Sequence, residues 1–322
     1  MVELVGLADH EWDAALQESG KPFRFSHRAA AGRALEAAEP SYEYAPARAD
    51  YEDGTSLLFA LVKVRRRLDG LSIALGMPLG LEGTPLALQG MAQPAHLAGL
   101  VEALDDCGAI ELYGGAGGSP PEYGEVGHHE THTLDLSSGF DAVWSGSLTA
   151  KNRNMVRKAQ RAGVAVTNET GSDAVAAFTA LHFRNAQSWG PSGQPSRAAL
   201  FEAMMATGYA ELWLARVQNQ VVAGALLLRG SDDLLYWAGA MDRDHRAAAP
   251  SNAALSAAIE SACERGIGYL DFGASAGLPG VEAFKKSFGA RAAQYSSVTV
   301  HSRRYRRLEW ARRRVGLVRS GP

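Results

Sequence analysis

The sequence predicts an α/β chain of the mixed-sheet (α+β) kind, in two units of like plan followed by a basic tail. Length is the first reason: 322 residues exceed the usual scale of about 100 to 200 per domain. The second is alternation, with short apolar runs of strand character set between segments whose apolar residues recur at helical spacing. The third is a repeated order of elements: helices, an antiparallel hairpin, then a helix and a strand, once in residues 1–130 and again in 131–300. Residues 301–322 form the tail.

In chain order, residues 9–17 and 26–38 have helical spacing, with Asp9 and Ser26 as candidate N-caps. The apolar run 57–64 reads as a strand, 65–70 as its turn and 71–75 as the returning strand. Leu97, Leu100, Val101 and Leu104 mark a helix over 94–107; residues 110–113 form the next strand, and the Gly/Pro-rich run 114–127 a loop. The second unit opens on an alternating strand, 131–136, followed by a helix over 151–162 that stops at Gly163. A strand at 164–167 and helices at 172–189 and 197–206 lead to three strands, 210–217, 222–229 and 234–240. A helix at 252–265 returns the chain to a strand at 268–272.

Composition narrows the class. Hydrophobic residues at 46% and charged ones at 21% are ordinary globular values, so a sizeable core can form. Cys107 and Cys263 have no partner at metal-ligand spacing, which favours a reduced, cytoplasmic protein over a disulfide scaffold. The segment from Met1 to Leu16 carries acids and Trp12 where a signal peptide needs basic residues, and no apolar stretch approaches the ~20 residues that span a bilayer, so a soluble protein is expected. Charge is uneven: residues 301–322 hold eight arginines and one acid, +7 against −10 for the remainder.

The stretch Asp271 to Gly289, DFGASAGLPGVEAFKKSFG, is the candidate site. Asp271 ends a strand, a loop of Gly, Ala and Ser residues including Ser275 lets a ligand approach the backbone, and Phe284 and Lys285 follow on a short helix. A carboxylate, a permissive loop and a lysine beside an aromatic are parts that bind an acyl donor and steady an oxyanion. A strand, a turn and a surface helix with solvated lysines is the alternative reading of the same residues.

Four segments carry a family resemblance: Leu148–Val166 (LTAKNRNMVRKAQRAGVAV), the hairpin Glu211–Gly230, LLYWAGA at 234–240, and DFGAS with FKKSFGA. Together they resemble the FemAB-type tandem GNAT proteins, which include aminoacyl-tRNA-dependent peptidyltransferases. The match covers about residues 131–300 by motif and the first half by plan. The resemblance implies two tandem GNAT-like domains packed side by side, here with a basic C-terminal helix, and acyl transfer to an amine. It assigns Phe284 and Lys285 to the stabilisation of the tetrahedral intermediate, with Lys286 pointing elsewhere.

The donor stays open at this stage. GNAT enzymes that use acetyl-CoA carry an R/Q-x-x-G-x-G/A loop after the fourth strand, and this chain has RAAAPSN at 246–252, without the glycines. Lys151, Arg153, Arg157, Lys158 and Arg161 fall within eleven residues that include no acid, and Arg303, Arg304, Arg306 and Arg307 open the tail with Tyr305 and Trp310 interleaved. These are candidate RNA contacts; a solvated helix face, an anionic membrane surface or packing onto the protein itself are the alternatives. For the acceptor, Arg184 and Trp189 are expected from one helix and Tyr236 and Trp237 from a strand, with Asp271 orienting or deprotonating the attacking ammonium. The expected activity is amide formation on a peptide, cell-wall precursor or small amine, with aminoacyl-tRNA as donor co-substrate, or alternatively acyl-CoA. A non-catalytic RNA- or membrane-binding module is the reading from another class. No bound cofactor, metal or DNA is expected. The run His128-His129-Glu130-Thr131-His132 lacks the i,i+4 histidine pair of a metalloprotease motif and alternates like a strand.

Overall fold

A parallel pair of strands needs a crossover of a dozen or more residues, whereas antiparallel neighbours are joined by short turns. Both arrangements follow from the element spacing here. The computed structural model describes residues 2–65, 70–104, 106–186, 198–275 and 277–314. The chain divides into two units, one of Met1–Lys21, Ser26–His129 and Tyr295–Pro322, the other of Pro22–Phe25 and Glu130–Gln294. Residues 295–300, grouped by the sequence with the second domain, thus belong to the first unit.

In the first unit, Val2–Val5, Ala47–Tyr51, Ser56–Phe59 and Leu86–Gln89 pair antiparallel in that order. A further run joins Tyr42–Tyr44, Val62–Arg65, Ser72–Gly76, Cys107–Tyr113 and residues 297–301 of the strand Arg291–His301. The step from Ser72–Gly76 to Cys107–Tyr113 is parallel, and the helix Pro94–Ala103 lies within its crossover. That helix buries Leu97, Leu100 and Val101 among Phe59, Ile110, Leu112 and Val300.

Two expectations are corrected in this unit. The run 57–64 is two strands in different sheets, Ser56–Phe59 and Val62–Arg65, because Ala60 and Leu61 between them are as buried as their neighbours and leave no break in the apolar pattern. The helices Asp9–Glu18 and Ala29–Ala38 are entered from Ala8 and Arg28 rather than capped by Asp9 and Ser26. Asp9 is the first helical residue and pairs with Arg33 at 3.0 Å, and Ser26 sits in a 3-10 turn.

In the second unit the order is Ala165–Glu169, Ala210–Val217, Gln220–Arg229, Asp233–Met241, Tyr269–Asp271 and residues 133–135 of the strand Glu125–Asp135. All neighbours are antiparallel except Asp233–Met241 with Tyr269–Asp271. The helix Pro250–Glu264 lies within this second crossover and buries Leu255, Ala258 and Ile259 against Leu227, Leu234, Leu270 and Phe272. The parallel pairing ends at Leu235 opposite Asp271, while the longer strand runs on through Tyr236 to Met241. Two parallel strands that part at their carboxyl ends open the kind of crevice where α/β proteins bind ligands.

The helix Arg303–Arg314 follows Ser302, with Arg303, Arg304, Arg306 and Arg307 all exposed. No helix among the described residues is long and apolar enough to cross a membrane.

Candidate functional site

Asp271 is the last residue of its strand and is buried at 8% exposure. Its Oδ1 accepts hydrogen bonds from the Thr131 hydroxyl and, at 2.8 Å, from the Gly273 N–H. The backbone then turns through Gly273 and Gly277, at φ +68° and +70°, a left-handed conformation that favours glycine. The helix Pro279–Ser287 begins on Pro279, whose fixed φ suits a first turn.

Lys285 is 2% exposed. Its Nζ donates to the carbonyl oxygens of Gly273 at 2.6 Å and Ala274 at 2.8 Å, so two of its three N–H bonds hold the loop. Burial pushes its pKa down to about 8, with the charge of Asp271 opposing that fall. Phe284 is half-buried on the core, its ring 5.1 Å from that of Phe288. Lys286 is exposed and paired with Glu282. Ser275 closes the loop with its carbonyl accepting from the Leu278 N–H, and its buried hydroxyl has no hydrogen-bond partner among the described residues.

The other expected residues are placed as follows. Tyr236 lies against Phe272, ring centroids 6.2 Å apart, and burial pushes its hydroxyl up to about 12. Trp237 stands at a register shift in the pairing with Gln220–Arg229 and packs edge-on to Phe201 at 5.8 Å. The two therefore serve different sets of neighbours. Arg184 is exposed near the end of the helix Ser172–Ala186. Trp189 lies outside the described residues.

In the basic helix Ala150–Arg161, Lys151, Arg157 and Lys158 are exposed, with the Arg157 guanidinium 5.6 Å from the centre of the Trp144 ring. Arg153 differs. It donates to the carbonyls of Trp144 at 3.1 Å and Ser145 at 3.3 Å, and also to that of Leu148, which end a π-helical turn. These bonds give Arg153 a structural role at the end of that turn, where helix geometry leaves carbonyls in need of donors. Arg153→Ala is expected to cost about 1–3 kcal/mol of stability, measured by urea unfolding, because hydrogen bonds to a charged donor are lost from the turn's end.

Several contributors carry no local signature. Thr149 caps the basic helix, and its N–H and hydroxyl both donate to the Ser287 carbonyl at 3.0 Å; the buried Asn152 donates to the Ser287 hydroxyl at 2.8 Å. The start of one helix is thereby fastened to the end of the helix that carries Lys285. Gly289 reaches φ +83°, and a side chain there would stand 2.3 Å from the Ser147 carbonyl oxygen. At the RAAAPSN segment, a 3-10 turn Arg243–Ala248 leads to Ala249 in the left-handed region at φ +53°, directly before Pro250 opens the long helix.

Residues 147–286 match the acetyltransferase (GNAT) domain family. No curated protein matches the chain. Among solved structures, FemX is similar with a TM-score of 0.69 at 14% identity, over 96% of this chain and 99% of that one. A tandem GNAT protein from the clavulanic acid biosynthesis pathway is similar with a TM-score of 0.55 at 12% identity, over 94% and 98%. The structure of L-PGS from Bacillus licheniformis is similar with a TM-score of 0.53 at 12% identity, over 97% of each chain. The described sheets, the parallel crossover in each unit and these likenesses agree with the resemblance read from the motifs: the chain has the FemX-like tandem GNAT fold, with an acyltransferase-type GNAT domain at residues 147–286.

Proposed function

We propose that the second unit transfers an acyl group to an amine, with Lys285 stabilising the negative charge that develops on the carbonyl oxygen. The observation that carries this reading is a buried ammonium, 2% exposed, with two N–H bonds fixed on the loop carbonyls and a third that has no acceptor among the described residues. Fixed charge in a site with little water needs no reorganisation as the oxyanion forms. In the step itself, the amine nitrogen attacks the ester or thioester carbonyl, the tetrahedral intermediate collapses with cleavage of the C–O or C–S bond, and the departing oxygen or sulfur takes up the proton the amine loses. Asp271, fixed by Thr131 and Gly273, supports the charge on Lys285 and is the nearby carboxylate for orienting the incoming ammonium. Tyr236, Trp237 and Ser275 are proposed to line the acyl and acceptor sites, and Arg184 to meet an anionic group of the acceptor from the surface.

Aminoacyl-tRNA is the proposed donor. Lys151, Arg157 and Lys158 on the second unit, and Arg303, Arg304, Arg306 and Arg307 on the first, are exposed cations of the kind that neutralise phosphates. The missing glycines of the pyrophosphate loop also weigh against CoA. One observation favours the alternative acyl-CoA reading: Ala249 takes up a left-handed conformation at the head of a long helix, where a glycine-bearing loop of a CoA-using GNAT stands.

Incubating the purified chain separately with labelled aminoacyl-tRNA and labelled acetyl-CoA, each with an amine acceptor, distinguishes the donors. Consumption of the aminoacyl ester alone is expected. Replacing Lys151, Arg157 and Lys158 together by Ala is expected to flatten the slope of log affinity for tRNA against log salt by about 2 to 3. Consumption of acetyl-CoA alone overturns the donor; consumption of neither overturns the enzymatic reading.

A further inference from the structure

Side chains two residues apart on a strand share a face. Glu130 and His132 stand in that relation on the strand Glu125–Asp135, while Thr131 between them turns to Asp271. Glu282 comes from the first turn of the helix Pro279–Ser287. One ligand atom from each of the three lies within 4.8 Å of the others.

His132 is what raises this cluster above a pair of surface acids. It is 1% exposed, yet neither ring nitrogen has a hydrogen-bond partner among the described residues. Its Nε2 faces the Glu130 carboxylate, 3.8 Å from Oε1. A buried imidazole ordinarily replaces its lost water with a protein partner. This one lies with the Glu130 and Glu282 carboxylates and has no hydrogen bond among the described residues.

Both carboxylates are themselves oriented from outside. Glu130 Oε2 accepts from the Gln294 amide at 2.8 Å, which leaves Oε1 toward His132. Glu282 Oε1 pairs with the Lys286 ammonium at 2.5 Å. A neutral outer partner such as the Gln294 amide fixes the direction of a ligand carboxylate.

We propose that Glu130, His132 and Glu282 bind a divalent first-row transition ion of the zinc and manganese class. One imidazole nitrogen with two carboxylates suits such ions, whereas magnesium and calcium favour shells made of oxygen alone. Three protein ligands also leave a coordination position for water. Lys286 supplies positive charge at Glu282 now, and the ion competes with it for that carboxylate. His128 and His129 take no part: His128 is exposed, and His129 bonds to the Ser297 hydroxyl at 2.8 Å. The proposal does not rest on acyl transfer, since none of the three residues is assigned a step in it.

The test is calorimetric titration of the metal-depleted full chain with Zn²⁺, repeated with Co²⁺ and followed by visible absorption. One equivalent bound with micromolar or tighter affinity is expected, with a cobalt spectrum that includes nitrogen coordination. His132→Ala and Glu130→Gln are each expected to weaken binding by about 100-fold or more, and Lys286→Met to tighten it. Glu130 is exposed, so Glu130→Gln keeps the test informative if His132→Ala fails to fold. No saturable binding of one equivalent, or unchanged affinity in a folded Glu130→Gln variant, overturns the proposal.

Discussion

Lys285→Met is expected to lower kcat for acyl transfer by about 10²- to 10³-fold, the usual consequence of removing one donor to a developing oxyanion. The substitution keeps a stem of similar volume in a position that is 2% exposed. It removes a buried charge whose desolvation is unfavourable, and in exchange the carbonyls of Gly273 and Ala274 lose their donor. Ala274 is exposed and Gly273 half-buried, so water can replace part of what is lost. Replacing both members of a buried charge pair by apolar groups is often neutral, whereas removing one leaves the other uncompensated, and Asp271 keeps its buried charge here. Lys285→Met is therefore expected to lower Tm while the activity of the folded variant collapses, with KM for the donor little changed. A variant that loses stability and retains its residual folded-state activity would instead make Lys285 a pin for the 273–277 loop. Thermal unfolding and steady-state kinetics on the same preparation separate the two outcomes.

Raising pH through about 8 is expected to lower the transfer rate and at the same time to stabilise the fold. Lys285 titrates near 8 in the folded chain, down from its ordinary value of 10.5, with burial as the main cause. Between those two values the unfolded chain holds a proton on this lysine that the folded chain has released. The unfolded state then binds more protons, so the contribution of Lys285 to stability rises with pH across that window. The full difference corresponds to about 3 kcal/mol. Catalysis runs the other way, because only the ammonium neutralises an oxyanion, and the rate should fall above pH 8 after an acidic limb set by deprotonation of the acceptor amine. Rates and urea unfolding measured from pH 6 to 10, for the native chain and for Lys285→Met, test this. A rate that climbs undiminished through pH 9, or a Lys285→Met variant with the same pH dependence of stability, removes Lys285 from the explanation.

Much of the second unit was legible because its signals are local. The strands 210–217, 222–229 and 234–240 announced themselves by continuous apolar character and short turns, and the observed strands Ala210–Val217, Gln220–Arg229 and Asp233–Met241 differ by few residues. The strands Val2–Val5, Tyr42–Tyr44, Ala47–Tyr51 and Leu86–Gln89 went unread, being short, half-polar and held by partners elsewhere in the chain. Arg153 was indistinguishable from Arg157 by composition. Only the position of the turn at Val143–Ser147 makes one a structural donor and the other an exposed cation. The histidine run was set aside for want of helical spacing, while the acid that faces His132, Glu282, arrives from a distant helix.

By itself the sequence determined the alternation of helices and strands, the strand-loop-helix order from Asp271 to Lys285, and the uneven placement of charge. These depend on propensity, periodicity and composition, which act between residues a few positions apart. The tertiary structure decided which lysine is buried, that Thr131 holds Asp271, that Ser287 anchors the basic helix, and that His132 stands between two acids. The pairs Thr131 with Asp271, Asn152 with Ser287 and His132 with Glu282 each join residues more than a hundred positions apart in the chain, whose encounter depends on strand register and helix docking rather than on any pattern within either segment.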